Sequence, residues 1–471
     1  MASAIQLYEH QGTARSIADD HPRFGFFWKP GTGKTIAILA ICKARPKRTL
    51  IVATKSIVET AWIKDGEAMG VPVISAMATK SKRRNILSDT ANEVVAINYD
   101  QFRIEHKFIM ECGFERIVFD ESSKLKNRES KTFDAAKAVA WRTPEMECYL
   151  LTGTPAPNSP VEVWSQLYLI DKKAAGGTFW RFANHFFVPD YDFIPKRGGG
   201  MKKVIRGWEF KSEGAKKAFE EHLAKYSWAL RKEECIDLPE STDAIIYVDL
   251  GKNERTAYEG VREDTILSFL KDPKGAVTRE NLTLEMVKAQ GASMKLRQIA
   301  GGTVRTQTGA QTVGTSKLDA LSTWLDEAGP DTPVLIWAEF TAEIDAISNL
   351  LSRRGEKHDI IDGRTKGGVA PIVARFQNGK TTRIIAHPQS AGHGTDGLQR
   401  VCQYAVFYSL SFSSEYHEQA RDRLDRNGQE VGVTFVYLLA HNTVDEAMFG
   451  VVREKMTTQD AFLKELSRGY F

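Results

Sequence analysis

The residues best suited to chemistry follow a short apolar run near the start of the printed sequence. Residues 24–28 (FGFFW) read as a strand, and an apolar helical pattern begins at Ile36, directly after the segment 29–35 (KPGTGKT). In such a strand–loop–helix arrangement, glycines let backbone N–H groups curl around phosphates, and the helix N-terminus adds positive potential. We expect Lys34 to reach the terminal phosphates of a nucleotide and Thr35 to ligate Mg²⁺. The predicted phosphate-binding residues are Pro30, Gly31, Thr32, Gly33, Lys34 and Thr35.

A second apolar run ends in two carboxylates. Residues 116–121 (RIVFDE) read as a buried strand that closes with Asp120 and Glu121. A carboxylate at the carboxyl end of a parallel strand can hold Mg²⁺ through water, and its neighbour can orient an attacking water molecule. We therefore assign Asp120 to the metal and Glu121 to the water. Acidic residues often follow an apolar strand only because the chain reaches the protein surface there. The assignment of Asp120 and Glu121 is therefore supported by the phosphate loop that precedes them in the sequence.

Two further stretches carry groups that suit phosphoryl chemistry. Residues 151–155 (LTGTP) place short hydroxyl side chains on a loop after an apolar strand, where they can sense a terminal phosphate. In 419–429 (QARDRLDRNGQ), Arg423 and Arg426 are three residues apart, so a helix would put both guanidinium groups on one face. Across a domain cleft, such a pair can neutralise charge on a transferred phosphoryl group. The plainer alternatives are a Thr/Pro turn and a solvated, charged helix.

The order of these motifs resembles that of the Swi/Snf-type DNA translocases of helicase superfamily two. The stretches that carry the resemblance are 7–11 (LYEHQ), 120–127 (DESSKLKN), 151–158 (LTGTPAPN), 228–239 (WALRKEECIDLP) and 419–429. The resemblance implies an α/β fold of two RecA-like parallel-sheet lobes in tandem, with ATP as substrate and Mg²⁺ as cofactor. It also implies a DNA-dependent ATPase that translocates on double-stranded DNA, and that couples hydrolysis to remodelling or displacement on that DNA.

The resemblance also assigns roles to individual residues. It implies that Gln11 reads the adenine edge, that Lys34 and Glu121 act in hydrolysis, and that Arg423 and Arg426 are arginine fingers. The implied coupling residues are Thr152, Gly153, Thr154, Gln419 and Gln429.

Loops at the carboxyl ends of the predicted strands are expected to face the groove in which a nucleic acid lies. The resemblance implies that they contact phosphates, which gives sequence-independent, salt-sensitive binding. The candidate residues are Thr54, Lys55, Asn98, Tyr99, Thr341, Arg364 and Thr365. The family usually has G-x-G-x-N-L before the arginine motif, and residues 392–399 read GHGTDGLQ instead. The role of Asp396, at the ribose or at DNA, therefore stays open.

The elements that must position these groups read as two sets of buried parallel strands. Apolar β-branched runs occur at 49–54, 93–99, 116–121 and 148–154, and again at 333–340, 383–389, 404–410 and 433–440. We predict a first lobe at 1–171, a mostly helical insertion and connector at 172–312, a second lobe at 313–443 and a closing helix at 444–471. The closing helix has an apolar face made of Val444, Met448, Val451 and Val452.

The predicted insertion combines basic and aromatic side chains, and its residues 187–213 read as an irregular hairpin around Gly198, Gly199 and Gly200. The basic residues are Lys172, Lys173, Arg181, Lys196, Arg197, Lys202, Lys203 and Arg206. The aromatic residues are Trp180, Phe182, Phe186, Tyr191, Phe193 and Trp208. Such an arm could grip a duplex or stack on unpaired bases. The alternative is that the aromatic rings fill the insertion's own core while the lysines are merely solvated.

Composition limits the class of protein. Of the 471 residues, 42% are hydrophobic and 26% charged, which is the balance of a soluble globular protein, and a net charge of +4 permits a nucleic-acid partner. Because no run of about 18 apolar residues occurs, no membrane partner is expected. The five cysteines form no C-x-x-C pair, and residues 1–11 lack an apolar signal core. We therefore expect a cytoplasmic location in a bacterial or phage-infected cell, or a nuclear one in a eukaryote.

Other functions stay open from the sequence. The nearest is a strand-separating DNA or RNA helicase of the same superfamily, which would act on single-stranded DNA or RNA. A nucleotide-dependent binding switch would lack Glu121 or the arginine pair, and a P-loop kinase would leave Arg423 and Arg426 without a role. Since the strict phosphate-loop pattern has glycine where Trp28 stands, a plain glycine turn is the alternative for that segment. A partner protein that targets the enzyme also stays open, because no accessory reader module is visible.

Overall fold

The structure is a computed structural model, and it describes residues 6–195, 201–235, 238–270, 290–306, 309–366, 368–391, 397–426 and 428–467. The chain divides into two compact units, and each is built around its own parallel sheet. Unit 1 comprises Met1–Asp237 and Thr457–Phe471, and unit 2 comprises Leu238–Met456.

Unit 1 contains a seven-stranded sheet and a separate antiparallel hairpin. Its strands are β1 (Arg23–Trp28), β2 (Thr49–Ala53), β3 (Val73–Ser75), β4 (Val94–Asn98), β5 (Arg116–Asp120), β6 (Glu147–Leu151), the hairpin strands β7 (Phe187–Pro195) and β8 (Met201–Phe210), and β9 (Ser227–Leu230). The sheet order is β3-β4-β2-β5-β6-β1-β9, and all its neighbours pair in parallel. Alternate residues of one strand enter different cores: Leu50 and Val52 face one, and Ile51 and Ala53 the other. Burial on both faces explains why these strands read as continuous apolar runs.

The helices of unit 1 cover both faces of this sheet. They are α1 (Glu9–Asp20), α2 (Lys34–Ala44), α3 (Lys55–Ile57), α4 (Ile63–Met69), α5 (Lys80–Ser88), α6 (Tyr99–Ile109), α7 (Lys131–Ala140), α8 (Trp164–Ile170), α9 (Phe179–Phe186) and α10 (Glu213–Ala224). Shorter turns are π-helical at Val58–Trp62 and 3₁₀ at Ser122–Leu125, Pro160–Val163 and Lys232–Glu234. In the sheet register, Leu151 pairs with both Phe26 and Asp120. The residues that follow β1, β5 and β6 therefore lie at one edge of the sheet.

The sequence predicts β1, β2, β4, β5 and β6, and the structure confirms them, but it does not predict β3 or β9. Strand β9 falls within 172–312, the range predicted as an insertion, yet it pairs in parallel with β1 and is buried at all four positions. A run of four residues is too short to show a period of its own, so only tertiary pairing reveals it as a strand.

Residues 172–224 of unit 1 contain the predicted hairpin, which the structure confirms as β7 paired with β8. The aromatic residues of this segment divide into buried and exposed ones. Phe182 and Phe186 are buried among other phenylalanine rings, whereas Trp180 and Tyr191 are 52% and 45% exposed. Residues 196–200, which include the three glycines, lie outside the described residues, as do the side chains of Phe193, Lys202 and Arg206.

Unit 2 contains a six-stranded parallel sheet and a short antiparallel hairpin. Its strands are β10 (Thr242–Val248), the hairpin strands β11 (Thr303–Thr306) and β12 (Gly309–Thr312), β13 (Val334–Trp337), β14 (His358–Ile361), β15 (Arg383–Ala386), β16 (Tyr404–Phe407) and β17 (Thr434–Ala440). The sheet order is β10-β17-β16-β13-β15-β14. The four predicted runs are confirmed as β13, β15, β16 and β17. Strand β10 also falls within 172–312, so this range gives one strand to each sheet and mixes strands with helices.

The helices of unit 2 pack on both faces of the second sheet. They are α11 (Lys252–Leu270), α12 (Gln290–Ala300), α13 (Ser316–Ala328), α14 (Thr341–Arg353), α15 (Ala370–Gln377), α16 (Pro388–Ala391), α17 (Ser414–Arg421) and α18 (Val444–Ser467), with a 3₁₀ turn at Leu398–Arg400. Of α18, only the residues up to Met456 belong to unit 2. The predicted closing helix is α18, which buries Val444, Met448 and Val452 and half-buries Val451. Within the described part of the chain, none of the helices combines the length and apolar character that a membrane span requires.

Candidate nucleotide site

The loop between β1 and α2 has the backbone shape of a phosphate cradle. Gly31 (φ 86°) and Gly33 (φ 83°) both take left-handed conformations, which residues with a Cβ rarely adopt. Gly33 is the N-cap of α2, so the first-turn N–H groups receive no bond from a capping side chain. Lys34 Nζ donates to the carbonyl oxygens of Trp28 (2.7 Å) and Lys29 (3.3 Å), which places the ammonium group against the loop. Backbone donors, a helix N-terminus and one ammonium group together suit the binding of phosphates.

The first turn of α1 holds this loop in place. Gln11 Nε2 donates to Gly33 O (3.3 Å), and Gln11 Oε1 accepts from the backbone N–H of Tyr8 (3.0 Å). His10 Nε2 lies 2.7 Å from Thr32 O, and burial lowers the pKa of His10, so a neutral ring contacts this carbonyl. The sequence predicts a nucleotide role for Gln11, which is buried against the loop. It does not predict His10, because no spacing rule marks that position.

Asp120 is a buried carboxylate at the carboxyl end of β5. Burial and the adjacent Glu121 carboxylate raise the pKa of Asp120 to about 6, against the lowering effects of the Lys34 ammonium and a hydrogen bond from Trp62. Trp62 Nε1 donates to Asp120 Oδ2 at 2.8 Å. Trp62 closes the π-helical turn Val58–Trp62, and such insertions often occur at functional sites. The sequence offers no signal for this tryptophan, which reaches the site only through the fold.

Glu121 lies in a strained backbone conformation, and its carboxylate is fixed by hydroxyl groups. Its φ of 58° is in the left-handed region, where a non-glycine residue is uncommon. Glu121 Oε1 accepts from Thr152 Oγ1 (3.1 Å) and Ser123 Oγ (3.3 Å). The hydroxyl of Tyr99 donates to the carbonyl oxygens of Asp120 (2.9 Å) and Glu121 (3.3 Å). Hydrogen bonds to both side-chain and backbone oxygen atoms therefore hold the turn after β5.

The loop after β6 packs directly against the phosphate loop. A Cβ on Gly153 would lie 2.7 Å from Pro30 Cδ, so only glycine permits this approach. The backbone N–H of Thr154 donates to Thr152 Oγ1 (3.0 Å). Thr154 Oγ1 is buried and has no hydrogen-bond partner among the described residues. Thr152, Gly153 and Thr154 thus connect Glu121 to the phosphate loop through contacts of a few ångströms.

Two further hydrogen bonds, which the sequence does not predict, hold the loop after β6. Ser122 Oγ donates to Gln166 Oε1 (2.7 Å), and Gln166 Nε2 donates to Pro155 O (2.5 Å). All of these atoms are buried. Gln166 lies in α8, so this helix ties the Asp-Glu turn to the Thr-Gly-Thr-Pro loop.

In unit 2, the predicted helix over Arg423 and Arg426 is wrong. Helix α17 ends at Arg421, and 422–426 continue as turns, with Leu424 N bonded to Arg421 O (3.0 Å) and Arg426 N to Leu424 O (2.9 Å). Leu424 is fully buried and Gly428 takes a φ of 90°. The segment after α17 therefore folds as turns around the buried Leu424, and the helix ends at the Asp422 cap. The two arginines therefore do not share one helix face.

The other predicted residues of this segment are buried or lie outside the described residues. Gln419 and Gln429 are each 9% exposed. Gln429 Nε2 donates to Val431 O (2.8 Å), which holds the end of the segment against the following loop. Asp396 is in 392–396, outside the described residues, so its role is not addressed by the structure.

Arg421 anchors α17 to the second sheet. Its guanidinium group donates to Tyr437 Oη (2.6 Å), forms an ion pair with Asp243, and lies 3.9 Å from the ring centroid of Phe435. His417, one turn earlier, lies 3.2 Å from Tyr437 Oη, and burial lowers the pKa of His417 to about 3. The motif 419–429 is thus attached to the sheet through β10 and β17, and this role for Arg421 is not predicted from the sequence.

The predicted polymer contacts of unit 1 differ in accessibility. Lys55 is exposed, whereas Tyr99 is only 9% exposed and its hydroxyl is bonded within the site described above. Asn98 Oδ1 accepts from Gln101 N (2.9 Å) and caps α6. Thr54 Oγ1 is buried without a hydrogen-bond partner among the described residues. Lys55 is therefore the residue of this group best placed to meet a ligand from solvent.

The predicted polymer contacts of unit 2 follow β13 and β14. Thr341 is exposed at the first position of α14. Arg364 Nη2 lies 2.6 Å from Asp362 Oδ2 and 2.8 Å from Asp345 Oδ1, and the side chain is 51% exposed. Thr365 Oγ1 accepts from Asp362 N (3.0 Å). The guanidinium group is thus held by two carboxylates at an accessible position.

The residues at the edge of the first sheet fit Mg²⁺ bound together with a nucleotide. Thr35 is the second residue of α2, and its hydroxyl and the Asp120 carboxylate are hard oxygen donors of the kind that Mg²⁺ prefers. Burial and the neighbouring Glu121 carboxylate raise the pKa of Asp120, although the Lys34 ammonium group lowers it. Added positive charge at this point would stabilise the charged form of Asp120.

Comparison with known proteins places the chain in a family. Residues 26–300 match the model of the SNF2-related domain. The chain is 23% identical over 462 residues to a putative protein of Acyrthosiphon pisum secondary endosymbiont phage 1. This alignment covers 93% of this chain and 94% of the phage protein. It is 24% identical over 467 residues to an uncharacterised ATP-dependent helicase of Mycoplasma genitalium, covering 96% of this chain but only 41% of the relative. A solved structure, the Sulfolobus solfataricus SWI2/SNF2 ATPase core in complex with dsDNA, aligns with a TM-score of 0.43 and 19% identity, over 98% of this chain and 94% of that one. Because the family model matches more than half of its residues, the chain belongs to the SNF2-related family.

Proposed function

We propose that this chain is an ATPase that translocates on double-stranded DNA and couples hydrolysis to remodelling or displacement on that DNA. The single observation that carries the proposal is the linkage in unit 1 of three predicted motifs. Glu121 bonds to Thr152, and the next residue, Gly153, packs on Pro30 of the phosphate loop. Contacts of the middle loop thus link the carboxylate proposed to orient the water to the loop proposed to bind the phosphates.

Binding of the nucleotide would use the backbone of 29–34. The phosphates would accept from N–H groups of the loop and of the first turn of α2, and Lys34 would exchange its carbonyl partners for phosphate oxygens. Gln11, already fixed at this loop, would contact the base. When bound, Mg²⁺ would be held by Thr35 and Asp120 and would neutralise charge on the β- and γ-phosphates.

In the hydrolytic step, a water oxygen bonds to the γ-phosphorus as the bond from that phosphorus to the β-bridging oxygen breaks. Glu121 orients the water and accepts one of its protons, and the products are ADP and phosphate. Arg423 and Arg426 would neutralise charge on the transferred phosphoryl group. Loss of the γ-phosphate would change the surroundings of Thr154 Oγ1, a buried hydroxyl without a partner among the described residues, and Thr152 would pass the change to Glu121.

DNA as the polymer is supported by residues on both units. Lys55 and Arg364 are exposed cations at the carboxyl ends of β2 and β14, and contacts from such residues would be to phosphates and independent of base sequence. The Mycoplasma relative's description as an ATP-dependent helicase agrees with ATP-driven action on a nucleic acid.

The test is ATP turnover by the full chain with duplex DNA of increasing length, beside single-stranded DNA and RNA. We expect stimulation that rises with duplex length and little response to single strands. A triplex-displacement assay, run beside a strand-unwinding assay, should then show displacement without unwinding. Unwinding of a forked duplex would instead identify a strand-separating helicase.

Two variants and one control make this test specific to the proposed residues. Lys34→Ala and Glu121→Gln should each abolish turnover, and Glu121→Gln should still bind ATP because the phosphate loop is untouched. Glu145→Gln removes an exposed carboxylate near the start of β6 and should leave turnover unchanged. Wild-type turnover in the Glu121 variant would refute its role with the attacking water.

A further inference from the structure

A second pocket in unit 1 has a strongly basic lining. It has a volume of about 570 Å³ and lies where the end of α8 meets α9 and α10. Its basic side chains are Lys172, Lys173, Arg181, His185 and His222. Its remaining lining residues are Ala174, Gly176, Gly177, Phe182 and Phe186, so no carboxylate contributes to the lining. We call this feature the basic pocket.

The cations of the basic pocket are not neutralised by neighbouring acids. Among the described residues, Lys172, Lys173 and Arg181 take part in no ion pair. Asp171 is adjacent in sequence, but its Oδ1 accepts from the backbone N–H groups of Lys173 (2.6 Å) and Ala174 (3.0 Å). Lys173 and Arg181 therefore line the cavity without an acidic partner, and Lys172, whose ammonium group lies against the Trp141 ring, adds positive charge beside it. A lining of this charge favours an anionic ligand.

The walls of the basic pocket are held by specific contacts. Gly177 N donates to Lys172 O (2.8 Å), and this turn needs the left-handed conformations of Gly176 (φ 66°) and Gly177 (φ 73°). His222 Nε2 lies 2.9 Å from Ala174 O, which ties α10 to the loop. The pocket is thus a folded feature, and binding would not have to order its backbone.

The basic pocket is separate from the nucleotide site. Arg23, the first residue of β1, donates to Leu169 O at the end of α8 (2.7 Å), just before the residues that line the pocket. The phosphate loop leaves the other end of the same strand, after Trp28. At a rise of about 3.3 Å per residue, the strand separates these two edges by about 17 Å. A ligand in the basic pocket therefore does not occupy the ATP site.

We propose that the basic pocket binds phosphate groups, and that the backbone of duplex DNA supplies them. Arginine and lysine side chains that line one cavity are typical of phosphate recognition. The volume exceeds that of one phosphate group, so it admits adjacent phosphates of one strand. The choice of DNA over a free polyphosphate rests on the proposed function, whereas the recognition of phosphate does not.

The test compares Lys173→Glu/Arg181→Glu with the control Lys80→Glu/Lys82→Glu, which reverses two exposed cations on α5. Lys172 is left unchanged, because its ammonium group lies 4.3 Å from the Trp141 ring centroid and supports the fold. Binding of a fluorescent 30-base-pair duplex is measured over a salt series. We expect the pocket variant to lose about tenfold in affinity at 0.1 M salt, with a salt slope lower by about 1 to 2. The control should change both values much less.

Further arms separate the two sources of phosphate and guard against misfolding. Calorimetric titration with pyrophosphate should show a binding event that the pocket variant lacks and that Lys34→Ala retains. If the pocket variant loses pyrophosphate binding but keeps duplex binding, the pocket binds free phosphates and DNA is not their source. If neither duplex nor pyrophosphate binding changes, the basic pocket is not a phosphate site. Lys173→Gln/Arg181→Gln repeats the test without added negative charge, and ATP turnover without DNA, expected unchanged in all pocket variants, reports separately on the proposed ATPase.

Discussion

The carboxyl edges of the two sheets present their candidate residues in opposite ways. In unit 1 the groups bond to one another: Glu121 accepts from Thr152, and Asp120 accepts from Trp62 inside a buried network. In unit 2 an accessible arginine, Arg364, is held by carboxylates that a ligand would have to replace. The first edge is therefore organised without a ligand, whereas at the second a ligand would have to compete with two acids for Arg364. We expect changes in unit 1 to act on chemistry, and most changes in unit 2 to act on affinity or stability.

The largest effect expected in unit 2 is an exception to this division. Arg426→Ala should lower ATP turnover by roughly 10³-fold, because a guanidinium group no longer neutralises transition-state charge, while duplex affinity stays nearly intact. Steady-state turnover and anisotropy on one preparation measure the two quantities. Arg400→Ala, at an exposed position of the same unit, is the matched control. Full turnover in the Arg426 variant would confine the chemistry to unit 1.

The amino edges of the sheets allow a second comparison, since each buries an arginine beside a glutamate. Arg116 Nε lies 2.7 Å from Glu147 Oε2, and Arg383 Nε lies 2.7 Å from Glu356 Oε2. Glu147→Gln should destabilise unit 1 by about 3–5 kcal/mol, because it leaves a buried cation without its partner. Hydrogen exchange in urea can follow the two units separately.

Glu356→Gln should destabilise unit 2 in the same experiment, but by less. Glu147 is 1% exposed and also contacts Arg45 and Lys47, whereas the Glu356 side chain is 8% exposed and closer to solvent. Equal losses in the two units would show that the number of cations around Glu147 does not matter. Glu145→Gln, an exposed change near the same strand, should leave unit 1 unaffected.

Acid should destabilise unit 2 through His417. Burial lowers the pKa of this histidine to about 3, while an unfolded chain titrates near 6.5, so between these values the unfolded state binds more protons. Stability from this group is therefore lost as pH falls below about 6.5. Between pH 7.5 and pH 5, His417→Gln should reduce the loss of unfolding free energy by about 2 kcal/mol. His21→Gln, an exposed change in unit 1, should leave this loss of unfolding free energy unchanged. If the His417 variant loses as much unfolding free energy as the wild type, other groups cause the acid sensitivity.

The smallest expected effect concerns the accessible edge of unit 2. Asp345→Asn removes one of the two acids that hold Arg364, so duplex DNA should bind about two- to fivefold more tightly at low salt, in line with the small value of exposed ion pairs. Asp331→Asn is the control, because it removes an exposed acid of the same unit. If both variants bind equally, the gain reflects net charge alone.

Much of the fold and of the nucleotide site follows from local patterns. Buried strands such as β2 and β5 are continuous apolar runs, and Lys34 and Glu121 lie in short motifs whose chemistry depends on adjacent residues. Strands β9 and β10 are not predicted, because pairing with distant strands is what buries or orders them. His10, Trp62 and Gln166 are missed for the same reason.

The error over Arg423 and Arg426 has a different origin. Their spacing is compatible with a helix, but α17 ends at Arg421 and the following residues form turns around the buried Leu424. Spacing alone describes what a helix would do with two side chains, and it does not determine whether the helix continues. Packing decides that, and packing depends on residues far away in the sequence.

The positive φ of Glu121 implies a conflict between durability and turnover in this protein. A glycine would adopt this backbone geometry without strain, which for a non-glycine residue costs on the order of 1 kcal/mol or more. Glu121→Gly should therefore relieve this strain, but it also removes the carboxylate that accepts hydrogen bonds from Thr152 and Ser123. An unstrained backbone and a carboxylate thus exclude each other at this position, and the proposed role of Glu121 in hydrolysis would explain why the chain accepts the strain.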